Sequence, residues 1–378
     1  MGVTEELMSR AQRALSAATG TNCVLDAPEE LSGSGRSMVV RCAVSGGRRG
    51  HVVVKAYRDR PAFPNEAAGL GVAAAGRVPE LLAVDDAWPL IVMSDLGTGP
   101  TLGRRLLGAD AEATTNTLRS WADGLGALAV AAHGREGEFF SARRSLAHGA
   151  AEDPTEPAAV RLPRLADVLR QAGVPAAPGL AAELTELARL KDDGPCPVFS
   201  PGDTCPDNAV VGSGGQVRFL DLESCGYTSA FLVGAYLRMP FATCWCVFRL
   251  PERVAGLAEQ DYRRHLVRIH PELADDSRWR RGTAAATALW TAGITVGLLP
   301  AADQGDRPMH PTVRPVPTAR QLLRYRWERL LDVLEPGDEL PAIRHTGELL
   351  LGELADRWGP GEAVPHYPAF TRSVLSGV

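Results

Sequence analysis

Apolar positions open the chain at helical spacing. Leu7, Ala11, Ala14 and Leu15 share one face of residues 5–18 and predict an amphipathic first helix. The period then shortens. Met38–Val44 and His51–Tyr57 are short runs rich in β-branched residues, split by Gly46-Gly47, and predict a hairpin. Pro64-Asn65-Glu66 opens an alanine-rich stretch that predicts a helix with Asn65 as its cap. Leu81–Val84 and Pro89–Met93 predict two more strands, and Asp95–Pro100 breaks the pattern. Beyond it the period is helical. Leu118, Trp121, Leu125, Leu128 and Ala132 form one stripe, and Leu180, Leu184, Leu187 and Leu190 another. Residues 149–164, rich in Pro, Ala and Glu, predict an exposed loop, and further helices are expected at about 252–268, 277–299, 318–335 and 341–358. The pattern is that of an α+β chain: a sheet-rich unit over residues 1–95, a linker at 96–100 and a helical unit over 101–378.

Composition narrows the class. A chain of 378 residues is long enough for one large core or two lobes, and 45% hydrophobic content is that of a globular protein. The net charge is −5 with both signs scattered, and there is no basic block or basic-aromatic stripe, so no nucleic-acid partner is expected. Met1–Ser9 has neither a basic start nor an apolar run, so a cytoplasmic location without a signal peptide is expected. The longest apolar stretch, Thr283–Pro300, is short for a membrane span and predicts a buried helix. The seven cysteines are odd in number, so no disulfide framework is expected, and buried thiols are expected at residues 244–246. Cys244-Trp245-Cys246 is not a zinc-knuckle spacing. No feature names an oligomeric state.

The chemistry concentrates in Ser200-Pro201-Gly202-Asp203-Thr204-Cys205-Pro206-Asp207-Asn208 and Asp221-Leu222-Glu223. A strand at 208–211, a glycine turn at 212–215 and a returning strand at 216–221 place Asn208 opposite Phe219. Asp221 then emerges at the same end as Asn208, with Glu223 on the same face. A magnesium ion needs hard oxygen ligands, and a general base needs a carboxylate. Asp203 is therefore the candidate base, Asn208 and Asp221 the candidate Mg2+ ligands, and Glu223 a supporting or water-bridged ligand. Only two of the 40 basic residues are lysines, Lys55 and Lys191. Lys55 ends the valine strand, where a compact ammonium suits ATP phosphates better than a planar fork. Glu66 is its candidate partner. Ser34 and Gly35, within Ser32–Ser37, offer backbone amides to phosphate but lack a P-loop ending.

In order and spacing, Lys55, Glu66, Gly202-Asp203, Asn208 and Asp221-Leu222-Glu223 resemble the aminoglycoside phosphotransferase and choline kinase group of protein-kinase-like enzymes, over about residues 20–240. The resemblance implies a two-lobed fold, with a small antiparallel-sheet N-lobe and a larger helical C-lobe. It implies Mg-ATP and transfer of the γ-phosphoryl group to a hydroxyl. Ile91–Leu96 resembles the family's hinge, so the backbone of Met93, Ser94, Asp95 and Leu96 is expected to bind adenine. The acceptor is expected to be a small molecule, such as an aminoglycoside or related natural product, or a Ser/Thr of a peptide precursor. An inactive nucleotide-binding scaffold is the alternative. Two positions depart from the family: Pro201 replaces the loop histidine, and Val233 an acidic residue in the following helix. Both departures predict a rearranged support for the loop. Glu252, Glu259, Asp261, Glu272, Asp275 and Asp276 give the helical region an acidic cast that a cationic amino sugar would fit and that solvated helix faces explain as well.

Overall fold

The computed structural model describes residues 3–31, 35–47, 50–58, 61–73, 76–148, 156–241, 244–313, 315–334 and 340–371. Helix α1 (Val3–Thr19) leads into strands β1 (Cys23–Leu31), β2 (Ser37–Gly46) and β3 (Gly50–Tyr57). Helix α2 (Ala62–Val72) follows, then β4 (Leu81–Asp85) and β5 (Leu90–Ser94). The strands form one antiparallel sheet in the order β1-β2-β3-β5-β4. Leu7, Ala11 and Leu15 pack α1 onto one face, against Val40, Cys42, Val52, Val54, Leu90 and Val92. Side chains alternate along a strand, so Val53 and Lys55 face the other way. There Val53 joins Phe63, Ala67 and Leu70 of α2 in the main core. The alternation that buries Val52 and Val54 under α1 thus aims Lys55 at α2.

Two local expectations change here. Strand β1 was not expected, because Asp26–Glu30 is acidic, carries Pro28 and does not alternate. Its register slips between Asp26 and Glu29. It lies at the sheet edge, where pairing on one side is enough and proline is tolerated. Helix α2 begins at Ala62, so Asn65 lies inside it and is not its cap. The side chain is buried and donates from Nδ2 to the Glu223 carbonyl (3.2 Å).

The helical region begins with α3 (Leu102–Leu106), α4 (Ala111–Ala131), α5 (Glu136–Ala147), α6 (Ala158–Arg161), α7 (Arg164–Gln171) and α8 (Leu180–Asp192). Four short strands come next: β6 (Pro197–Ser200), β7 (Ala209–Val211), β8 (Val217–Phe219) and β9 (Gly226–Ser229). β6 pairs with β9, and β7 with β8. Helices α9 (Ala230–Arg238), α10 (Glu252–Leu266), α11 (Asp276–Gln304), α12 (Ala319–Val333) and α13 (Pro341–Trp358) complete the region. The expected loop at 149–164 is only partly one. Residues 149–155 lie outside the described residues, but Ala158 and Leu162 are buried and Arg161 Nε donates to the Gly293 carbonyl (2.7 Å).

Helix α11 is long and apolar enough to cross a membrane by length and composition. Here it is a core helix: Trp279, Ala286, Ala288, Leu289 and Leu299 are all buried. Thr283, Thr287, Thr291 and Thr295 are buried too. Each hydroxyl donates to the carbonyl four residues earlier, at 2.7–2.9 Å, so no polar atom of this row is left unsatisfied in the core.

Candidate active site

Strand β3 delivers Lys55 into a buried cluster of carboxylates. Its Nζ lies 2.6 Å from Glu66 Oε2, 2.5 Å from Asp221 Oδ1 and 3.8 Å from Glu223 Oε2. Lys55 is 4% exposed and Glu66 1%, so an unpaired charge at either position is costly. Burial alone opposes the lysine's charge, but Glu66 and Asp221 outweigh it and hold the ammonium above the usual lysine range. Glu66 is saturated: the Tyr57 hydroxyl donates to Oε2, and the Leu222 amide donates to Oε1 (3.2 Å). Arg36 NH2 pairs with Glu223 Oε1. Burial first, and the neighbouring Asp221, raise Glu223 above the ordinary glutamate value, against the pull of Lys55 and Arg36.

Asp203 lies in the loop that follows β6. Gly202 has φ +85°, and a Cβ there would sit 2.0 Å from the Ser224 carbonyl oxygen, so the turn requires glycine. Asp203 Oδ1 accepts from the Cys205 amide (3.1 Å), and its carbonyl accepts from Asn208 Nδ2 (3.3 Å). Its side chain opens to a cleft. Even so, the surrounding protein, and then Asp221 and Asp207, raise its pKa above the ordinary aspartate value, against the Cys205 amide and Asn208.

The hairpin forms one residue out of the expected register. Ala209, not Asn208, pairs with Phe219, and Asn208 ends a 3-10 turn, Pro206–Asn208. The expectation erred because Asn208 resembles a strand start, whereas Pro206 winds the chain into a turn. The functional end is unchanged: the Leu220 amide donates to the Asn208 carbonyl (2.8 Å), so Asn208 stands beside the approach to Asp221. Asp221 and Glu223 do not share a strand face. Asp221 is left-handed (φ +59°), and the kink turns its carboxylate to Lys55 while Glu223 reaches Arg36.

The nucleotide-side expectations are mixed. Ser34 lies outside the described residues. Gly35 precedes Arg36 at the start of β2, and its carbonyl accepts from Arg58 NH1 (3.4 Å). Met93 is buried within the sheet. The Ser94 amide donates to the Glu80 carbonyl (2.9 Å), and its hydroxyl accepts from the Glu80 amide. Past Ser94 the chain leaves the sheet through Asp95 and Leu96. Asp95 Oδ1 accepts from the Gly97 amide (2.9 Å), and Oδ2 accepts from Arg41 Nε (2.8 Å).

A cleft of about 880 Å3 opens beside Asp203, lined by Arg143, Glu156, Lys191, Asp192, Tyr236, Trp245 and Trp290 among others. The six acidic residues expected to colour an acceptor site are not among its lining residues. Glu252 pairs with Arg329, Glu259 with Arg238, Asp261 with Arg119 and Arg264, and Asp276 with Arg263. Asp275 caps α11, and Glu272 accepts from the Cys196 thiol. Lys191 Nζ stands 5.2 Å from the Trp290 ring centroid. The rarity of lysine that singles out Lys55 in the sequence applies equally to Lys191. Arg36, Tyr57 and Asp207 carried no spacing signal and emerge only from the fold.

The loop carrying Asp203 is held by contacts from the segment after α9. Val233 lines a cavity with Ser200, Gly202 and Thr204 and provides no ionic anchor. Instead the segment after α9 holds the loop: Trp245 Nε1 donates to Asp207 Oδ2 (3.1 Å), and Cys205 is disulfide-bonded to Cys244. This corrects the expectation of buried thiols at Cys244 and Cys246: Cys244 is bridged, and Cys246 is the buried thiol. Spacing alone could not bring Cys205, 39 residues away, to Cys244.

Comparisons with known proteins bear on this arrangement. The sequence model of the phosphotransferase enzyme family matches residues 33–231, more than half of the chain. No protein with a curated description matches it. A candidate aminoglycoside phosphotransferase from Ralstonia eutropha JMP134 is structurally similar, with TM-score 0.50 and 13% identity over 93% of this chain and 98% of its own. A choline/ethanolamine kinase family protein from Mesorhizobium loti covers 85% of this chain and 92% of its own, at 15% identity and TM-score 0.44. A thermostable mutant of the aminoglycoside phosphotransferase APH(4)-Ia, in complex with ADP and hygromycin B, covers 85% and 97% at 14% identity and TM-score 0.41. The fold is the two-lobed, protein-kinase-like α+β fold expected from the sequence, with a small antiparallel sheet and a larger helical part.

Proposed function

The chain belongs to the phosphotransferase enzyme family, and from that membership we propose that it transfers the γ-phosphoryl group of ATP to a hydroxyl of a small molecule. The carrying observation is Lys55 held between Glu66 and Asp221, with Asp203 close enough for its charge state to depend on Asp221. Phosphoryl transfer asks the protein for position and charge neutralisation more than for covalent chemistry. Asp203 accepts the proton of the attacking hydroxyl, and Lys55 neutralises phosphate charge. Asp95 and Leu96, past the last bond to Glu80, are the hinge positions for adenine.

The donor set fits magnesium. Glu66, Asp203, Asp221 and Glu223 are four carboxylates facing two cations, Lys55 and Arg36, a surplus of two negative charges when all are ionised. Their oxygens are hard donors of the kind Mg2+ prefers. Asn208 and Asp221 are the residues that would hold it, and Glu223, engaged by Arg36, would act through water. When bound, the ion neutralises charge on the transferring phosphate.

The acceptor cleft suits a small alcohol bearing a ring, an amino sugar or related natural product among them. Arg143 and Lys191 share the lining with Glu156, Asp192 and Asp203, so both signs of charge are at hand for polar groups of the acceptor, while Tyr236, Trp245 and Trp290 offer apolar faces. The test is incubation with Mg-ATP and a panel of amino sugars, nucleosides, hydroxy acids, amino alcohols and Ser-containing peptides, read by mass spectrometry beside Asp203→Ala. A phosphorylated small molecule that disappears in the variant supports the proposal. Modification of peptides alone, or nucleotide binding with no transfer to any acceptor, overturns it.

A further inference from the structure

Three cysteines that phosphoryl transfer does not use meet at one point. Cys205 follows Asp203 by two residues, and Cys244 and Cys246 flank Trp245. The three Sγ atoms all lie within 4.8 Å of one another, and Cys246 Sγ is 3.1 Å from Cys244 Sγ. A disulfide accounts for Cys205 and Cys244 but leaves the third sulfur, buried against the pair, without a role. We propose that in the reduced protein Cys205, Cys244 and Cys246 form a thiolate site for a thiophilic divalent cation of the zinc class, with the Cys205–Cys244 disulfide as its oxidised alternative.

Sulfur donors select zinc-like cations over magnesium, so this site does not compete with the oxygen ligands at Asn208 and Asp221. Zinc is four-coordinate, and three protein ligands leave one position for solvent. An entry path exists, because Cys205 and Cys244 line the cleft beside Asp203. Burial first, and then the carboxylates of Asp207 and Asp203, oppose a bare Cys246 thiolate, and the same carboxylates attract a cation. Conversion between the two states is a two-electron step. A dithiol reductant breaks the Cys205–Cys244 bond and closes its own disulfide, releasing both cysteines as thiols. Cation binding then displaces the thiol protons. Either state ties the Asp203 loop to the Trp245 segment, and the Cys205 amide carries the tie to Asp203 Oδ1.

The test uses the full chain, reduced with a dithiol, freed of it without air, loaded with Zn2+ and dialysed. Metal content is measured beside Cys246→Ser and beside the oxidised wild type. The expected result is one tightly held zinc per reduced chain, with affinity lowered at least ~10-fold in the variant and in the disulfide form. Because Cys246→Ser can also perturb packing, Co2+ loading supplies a second readout: reduced wild type should show sulfur-to-cobalt charge-transfer absorption with a tetrahedral d–d spectrum. The proposal is overturned if reduced wild type holds no more zinc than the variant, if the oxidised form holds as much, or if bound cobalt shows no thiolate band.

Discussion

Asp203 and Lys55 give the residue scale its sharpest expectations. As the proposed base, Asp203 must be ionised, and although its side chain opens to the cleft the surrounding protein, and then Asp221 and Asp207, raise its pKa. Activity is therefore present above that raised value and lost as pH falls through it, so the acid limb of kcat/KM lies above the ordinary aspartate pKa of ~3.9. Removing one neighbouring charge with Asp207→Asn should move this limb to lower pH; a pH–rate profile in which the limb stays put contradicts the assignment. Lys55→Met strips Glu66 and Asp221 of their shared cation. Loss of half of a buried pair costs about 3–5 kcal/mol, visible as an earlier urea midpoint. The rate should fall by ~10²-fold or more, as when one preorganised charge is removed from a transition state. A variant with wild-type stability and rate would remove Lys55 from the site.

At the scale of elements, the loop after β6 depends on its backbone. Gly202→Ala puts a Cβ against the Ser224 carbonyl at a left-handed φ. It is expected to cost about 1–3 kcal/mol and to slow turnover by displacing Asp203, both measurable by denaturant titration and steady-state kinetics. Thr318, whose side chain and Gln321 form a reciprocal cap on α12, is the contrast. Thr318→Ala should cost ~1 kcal/mol and leave kcat unchanged. Legibility in the sequence followed the same lines. Helices α4, α8, α10 and α13 show clear stripes, and the β2–β3 hairpin shows valines around a glycine turn. Strand β1 was hidden by Pro28 and its acidic run, and α2 started a turn early because Ala62 and Phe63 resemble loop residues before Pro64. Lys55, Glu66 and Asp221 were legible from rarity and spacing, and the structure joins them by direct contact. Arg36 and Tyr57 were not, since each reaches the site through pairing or packing that no local pattern encodes.

The whole molecule brings a sheet that carries Lys55 against a helical part that carries Asp203, Asn208 and Asp221. A nucleotide engaging both sides binds the folded state alone, so Mg-ATP at ~100 times its Kd should stabilise the protein by about 2.7 kcal/mol. That gain should shrink in Lys55→Met, as read by thermal unfolding. Glu252, Glu259, Asp261, Glu272, Asp275 and Asp276 lie outside the lining of the cleft, which Glu156, Asp192, Arg143, Lys191 and three aromatic residues form in part. The most direct test of phosphoryl transfer is a phosphorus NMR time course with Mg-ATP and an accepted alcohol, comparing wild type with Asp203→Asn. The expected result is a new phosphomonoester signal growing in step with ADP, slowed ~10²–10⁴-fold in the variant while nucleotide affinity stays within a few-fold. ADP and inorganic phosphate appearing without the ester, or an ester forming equally fast without the Asp203 carboxylate, would contradict it.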